Sequence, residues 1–219
     1  MVPLRRAAVP LMLLGLTACG TDATTVDESV PPPPHNGSTK TLADGDCSAT
    51  PAAGRIVRSG YGLNYSRGTM TVSVKRPGSQ RCVAFAKSGR TDPAVPPDTL
   101  LFTFTGDRGE GGQLEFLAVD LAGGILPWPA GASAREPGAP ITATVGVSLD
   151  GTYFTSATCT LRLATVTETR AAGRFDCPDA LAARANPFDP DDDVSYDDPT
   201  VPAAPPESAA LSGLFTVEK

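Results

Sequence analysis

The feature that narrows the fold most is a two-residue alternation that recurs along the chain. In residues 69–75, TMTVSVK, the apolar Met70, Val72 and Val74 alternate with threonine, serine and lysine. In 141–149, ITATVGVSL, Ile141, Ala143, Val145, Val147 and Leu149 form the apolar set. Successive side chains of a strand point to opposite faces, so the pattern reads as strands with one face buried and the other in water. Weaker versions run through 82–87, 100–105, 113–121, 158–166, 174–177 and 211–217. Gly, Pro, Asn and Asp separate the runs, and TGDRGEGGQ (105–113) predicts a hairpin loop whose glycines supply positive φ. No stretch carries a convincing helical period. The alanine-rich PDALAARANP (178–187) is expected to make a turn or two of helix before Pro187 stops it. About eight strands without an internal repeat predict an all-β domain over 44–219, an antiparallel β-sandwich or barrel.

The chain ahead of 44 reads differently. Arg5 and Arg6 precede an apolar run over 7–16 that contains Pro10 and falls short of the roughly 20 residues a membrane-spanning helix needs. A basic start, a short apolar core and small residues before a break predict an export signal peptide, 1–18, that is removed. Leu16, Thr17, Ala18 and Cys19 supply an aliphatic residue, two small residues and a cysteine. Together they resemble the lipobox of bacterial lipoproteins. The resemblance implies cleavage before Cys19, a diacylglyceryl thioether on its sulfur and an N-acyl chain such as palmitate. Each buried methylene contributes about 0.8 kcal/mol, so two or more chains anchor stably where one is marginal. From Cys19 to residue 43 the chain is polar and holds four consecutive prolines, which predicts a disordered, proline-rich tether.

Lipidation also accounts for the cysteine count, since five cysteines in an exported protein leave one over. The other four, Cys47, Cys82, Cys159 and Cys177, can pair in three ways, and export favours disulfides. Pairing Cys47 with Cys82 and Cys159 with Cys177 is preferred because each pair flanks a compact stretch of strands. No C-x-x-C spacing points to a zinc ribbon or a thioredoxin-type site. The C-terminal region, YFTSATCTLRLATVTETRAAGRFDCPDAL and the later LSGLFTVEK, is similar to uncharacterised bacterial envelope lipoproteins. In these a cysteine-bearing strand pairs with a G-x-F-x-C strand, and a final G-x-F strand closes the sheet. The corresponding residues are Cys159, then Gly173, Phe175 and Cys177, then Gly213 and Phe215. The resemblance supports the Cys159–Cys177 pairing and implies no activity.

Composition limits the chemistry. The single histidine, His35, lies in the tether, so no imidazole base serves a Ser-His-Asp or Cys-His system in the domain, and histidine-ligated metal sites lack their ligand. Lys87, Ser88 and Gly89 match one motif of penicillin-binding enzymes, but the S-x-x-K that supplies their nucleophile is missing, so the tripeptide reads as a strand end and turn. Removing 1–18 takes two arginines and no acid, moving the formal charge from −6 to −8. An acidic balance argues against a nucleic-acid partner.

Three sets of residues are candidates for binding. Trp128, between two prolines, is suited to an aromatic platform for sugar or peptide or to plugging one end of the core, and Tyr61 and Tyr65 invite the same two readings. Asp189, Asp191 and Asp193 lie in an acidic loop over 186–208 whose hard oxygens suit calcium, although the mid-loop glycine and terminal glutamate of an EF-hand are absent; a solvated loop is the plainer reading, and no other cofactor is indicated.

These readings predict a lipoprotein of the cell envelope, lipid-anchored to a membrane with its domain outside the cytoplasm in the periplasm or at the cell surface. The domain is expected to be a non-catalytic binding or structural module that engages envelope polymer or another protein. The alternatives are a carboxylate-dependent hydrolase of envelope glycans and a carrier that encloses a lipid or other hydrophobe.

Overall fold

The structure, a computed structural model, describes residues 37–56, 63–89, 99–117, 139–190 and 206–219. The strands are β1 (Lys40–Leu42), β2 (Arg67–Arg76), β3 (Ser79–Ser88), β4 (Thr99–Thr105), β5 (Gly111–Leu117), β6 (Ile141–Leu149), β7 (Thr152–Val166), β8 (Arg170–Ala183) and β9 (Ser208–Glu218). From β2 to β9 each strand pairs antiparallel with its neighbour in sequence, and β9 pairs back onto β2 from Arg67 opposite Glu218 to Lys75 opposite Ala210. Eight strands thus close into an up-and-down barrel, the second of the two expected architectures, with β1 lying outside it. Closure removes the long sheet edges and leaves only short unpaired stretches of β3 and β7.

The alternation sorts the side chains as predicted. Met70, Val72 and Val74 of β2 point inward with Val83 and Phe85 of β3, Phe102 and Phe104 of β4, Phe175 of β8 and Phe215 of β9. An eight-stranded barrel has an interior just wide enough to be filled by its own side chains or to hold one small ligand. Here the inward side chains are buried against one another, and the glycines show how closely they pack. A methyl group added to Gly112 would lie 2.6 Å from the Met70 sulfur, and one on Gly173 would lie 2.9 Å from the Phe215 ring. One on Gly213 would lie 2.1 Å from the Thr71 carbonyl oxygen and 3.0 Å from the Phe175 ring. Gly173 sits opposite Phe215, and Phe175 opposite Gly213. Each G-x-F strand therefore places its ring in the space that the partner's glycine leaves open.

Outward positions carry Thr69, Thr71, Ser73 and Lys75 on β2, Gln113 and Glu115 on β5, and Arg174 and Asp176 on β8. Among the described residues Leu101, Leu117 and Leu181 are also exposed, but they make no continuous band, whereas a membrane-spanning barrel carries an apolar outer band. No helix among the described residues is long and apolar enough to cross a membrane.

Both expected disulfides are present, in contrasting places. Cys159 and Cys177 face each other across β7 and β8 with Cα atoms 4.4 Å apart, inside the barrel core. Cys82 is on the outward side of β3, alternating with the inward Val83 and Phe85, and bonds to Cys47 in a short 3-10 turn, Asp46–Ser48, that packs over β9, β2 and β3. The arm that carries Cys47, residues 37–56, crosses the outside of the barrel from β3 to β7. It begins tight against the end of β4, where a methyl group on Gly37 would lie 2.3 Å from the Gly106 carbonyl oxygen. β1 then pairs with β3 over Cys82–Ala84, just beyond the point where β4, whose last partner on β3 is Ala86, has turned away. Further on, Gly54 donates to Ala164 O, Val166 donates to Arg55 O, and Ile56 bridges Val166 on the β7 edge that β6 does not reach.

Three expectations are corrected. The domain starts before residue 44, because β1 occupies 40–42 at the end of the stretch expected to be tether. A polar three-residue strand is invisible to periodicity, and its place is set by the edge it completes. Residues 178–183 belong to β8 and not to a helix. Pro178 and Asp179 occupy a bulge between Cys177 and Ala180, where a residue without an N–H donor fits, after which Ala180 and Leu181 resume pairing with Ala209 and Ser208. Pairing on both sides, to β7 and to β9, overrides the helical preference of alanine. Thirdly, Ser208, expected as the end of the acidic loop, opens β9.

Candidate functional site

Polar side chains concentrate at the barrel rim formed by the β2–β3, β4–β5 and β6–β7 turns. The β6–β7 turn is Asp150-Gly151 with φ of 53° and 76°, the left-handed pair that a tight hairpin needs. This D-G pair is a hairpin signal visible in the sequence itself. The Asp150 carboxylate accepts a hydrogen bond from Arg81 of β3, which holds the guanidinium more firmly charged. Both groups are substantially exposed, so the pair contributes little stability. The Asp150 N–H donates to Glu110 in the β4–β5 turn, the Thr39 hydroxyl donates to the same carboxylate, and the Asp107 N–H donates to Thr39 Oγ1. Arg76, at the end of β2, lies 4.7 Å over the Phe154 ring, donates to Leu149 O and approaches Glu207 at 3.9 Å. Arginine therefore covers one mouth of the filled interior, its apolar stem and planar face against the ring.

The start of the acidic loop is fixed to this rim. Asn186, only 7% exposed, donates to Gly109 O and Ser148 Oγ while its Oδ1 accepts from the Phe188 N–H. Phe188 lies against Gly111 and 6.2 Å from the ring of Tyr153, whose hydroxyl accepts from Gln113. Asp189 comes next to Gly109. Its intended companions as calcium ligands, Asp191 and Asp193, lie outside the described residues, and among the described residues no group of three or more His, Cys, Asp or Glu is placed to hold a metal ion.

Of the three aromatic candidates, Trp128 and Tyr61 also lie outside the described residues. Tyr65 is described, and the platform reading is corrected. Its ring is completely buried, edge-on to Phe102, and its hydroxyl donates to Thr167 O in the β7–β8 turn. With Leu63 it closes the barrel end opposite the charged rim, and burial pushes its phenol well above the usual tyrosine range. Lys87 and Ser88 lie at the end of β3, as the sequence implied. The Lys87 ammonium donates to Ser88 O and Gly89 O, and burial lowers its pKa. All four cysteines of the domain are in disulfides, so it offers no free thiol. Arg76, Arg81, Glu110 and Asp150 thus tie the rim turns together, an arrangement suited to presenting a shaped surface.

The fold and rim together define the class, an eight-stranded up-and-down β-barrel with a filled interior and two disulfides. No family model, no curated protein and no solved structure matches the chain.

Proposed function

We propose that this chain is a cell-envelope lipoprotein, anchored by acyl chains on Cys19, whose barrel serves as a non-catalytic binding or structural module. The observation that carries the reading is the filled interior. The inward side chains are buried against one another and pack closely around Gly112, Gly173 and Gly213, which supports a barrel that works through its outer wall and its ends. Two formed disulfides fit an oxidising compartment outside the cytoplasm. The polar wall leaves membrane attachment to the lipid.

The anchor is tested by expressing the full chain in a bacterium fed an alkyne-bearing palmitate analogue. The wild-type protein takes up label and partitions with membranes, and Cys19→Ser does neither. Label that persists in Cys19→Ser, or a membrane fraction unchanged by it, refutes the anchor. The binding role is tested by co-sedimentation with purified cell-wall polymer. Saturable retention of the wild-type domain is expected, and no retention at any polymer concentration counts against that role.

A further inference from the structure

Among the described residues, the arm over 37–56 is the long segment that lies outside the closed ring. Its path crosses the outer faces of β3, β2, β9 and β8 to reach β7. Its attachments run along its length: Thr39 hydrogen-bonded to Glu110 and to the Asp107 N–H, β1 on the short stretch of β3 that β4 leaves, the Cys47–Cys82 disulfide, Arg174 of β8 donating to Ser48 O and Ala49 O, and the 54–56 segment on β7. β1 pairs through three residues only, the Arg174 contacts are solvent-exposed, and a three-residue strand has little stability of its own. The Cys47–Cys82 bond is the covalent attachment among these and lies midway along the arm, so its loss leaves short hydrogen-bonded contacts and the packing of Ile56 to hold it. The eight ring strands, in contrast, pair with one another without using the arm.

We propose that the arm is a redox-sensitive clasp. Reduction of Cys47–Cys82 lets residues 37–56 peel from the wall while the barrel stays closed, and this pays out chain between the barrel and whatever precedes Gly37. The step is thiol–disulfide exchange. A thiolate of a dithiol reductant attacks one sulfur, the S–S bond breaks to leave the other as thiolate, and the second thiol of the reductant resolves the mixed disulfide. Cys47 and Cys82 gain two electrons and two protons, and the dithiol becomes a disulfide. The two disulfides of the domain respond unequally because of where they lie. Cys47–Cys82 is buried, but between the arm and the outer face of β3 and not inside the barrel, so lifting of the arm is enough to expose it. Cys159–Cys177 belongs to the core cluster, and its exposure requires the barrel itself to open. Fully extended, a released segment of this length spans about 65 Å. Its departure also uncovers the β3 edge at Cys82–Ala84.

The test treats the full, oxidised chain with increasing dithiothreitol, alkylates free thiols and reads amide hydrogen exchange by mass spectrometry. Cys47 and Cys82 are expected to alkylate at reductant concentrations at least tenfold below those that open Cys159–Cys177. Amides in 40–42 and 54–56 then lose protection, while β6, β7 and β8 keep theirs. The double variant Cys47→Ser/Cys82→Ser should show the same pattern without reductant. The proposal is overturned if the four cysteines open together, if Cys159–Cys177 opens first, or if the arm stays protected after Cys47–Cys82 is reduced. A double variant that does not fold at all also overturns it, since the arm would then be part of the barrel's own stability.

Discussion

Gly213 and Gly173 look, in sequence, like weak points in two strands, because glycine lowers strand propensity and gives nothing to pack. In the barrel they are the complement of Phe175 and Phe215. Gly173→Ala brings a methyl group within 2.9 Å of the Phe215 ring and is expected to destabilise the fold by about 1–3 kcal/mol through overpacking. If the ring causes that loss, Phe215→Leu should cost less in the Gly173→Ala background than in the wild type, and urea midpoints for the four proteins of the cycle measure the coupling. Strict additivity would mean that ring and glycine are not filling one space. At Tyr65 and Tyr153 burial raises the phenol pKa. Above about pH 10 the unfolded chain releases phenolic protons that the folded chain keeps, so stability falls as pH rises, by at most about 1.4 kcal/mol per pH unit for each tyrosine. Tyr65→Phe removes one of these groups. Its urea midpoint should be lower at neutral pH, where Thr167 O loses its donor, and should decline less steeply above pH 10 or so; an unchanged alkaline slope would contradict the burial argument.

At the scale of elements, legibility followed the strength of the local pattern. β2 and β6 alternate strictly between inward apolar and outward polar residues, and both stand where the period-two pattern placed them. β8 was legible only in part. Its middle, around Phe175 and Cys177, alternates, but its last residues are alanine-rich, and what holds them extended is pairing to β7 and β9, which no local window contains. β1 has no pattern at all and exists because β3 outruns β4. The acidic loop divides similarly. Its charge was plain in the sequence, but its anchoring through Asn186 depends on Gly109 and Ser148, 77 and 38 residues away in the chain. Asn186→Ala takes the amide from Ser148 Oγ and from the Phe188 N–H, while Gly109 O keeps the Ser148 hydroxyl as donor, and should cost about 1 kcal/mol or somewhat more. Hydrogen exchange should show the loss first at 186–189 and the β4–β5 turn; a variant as stable as the wild type would mean that the loop start is not fixed in this way.

For the whole molecule, alternation and turn chemistry gave the all-β class, and four domain cysteines gave the disulfides. The choice between barrel and sandwich was not legible, because it turns on one non-local event, the pairing of β9 back onto β2 across most of the chain. The site was less legible than the fold. Tyr65 reads as a tyrosine among glycines in a loop, and only the three-dimensional structure puts its ring against Phe102 and its hydroxyl on Thr167. The central claim is that the barrel is filled by its own side chains and acts through its outside. Titration of the full, oxidised chain with a fluorescent long-chain fatty acid tests it most directly. The filled interior predicts no saturable binding, with the signal following that of a protein-free control. Saturable uptake at one fatty acid per barrel, abolished by a bulky substitution of an inward residue such as Val72→Trp in a folded variant, would contradict it.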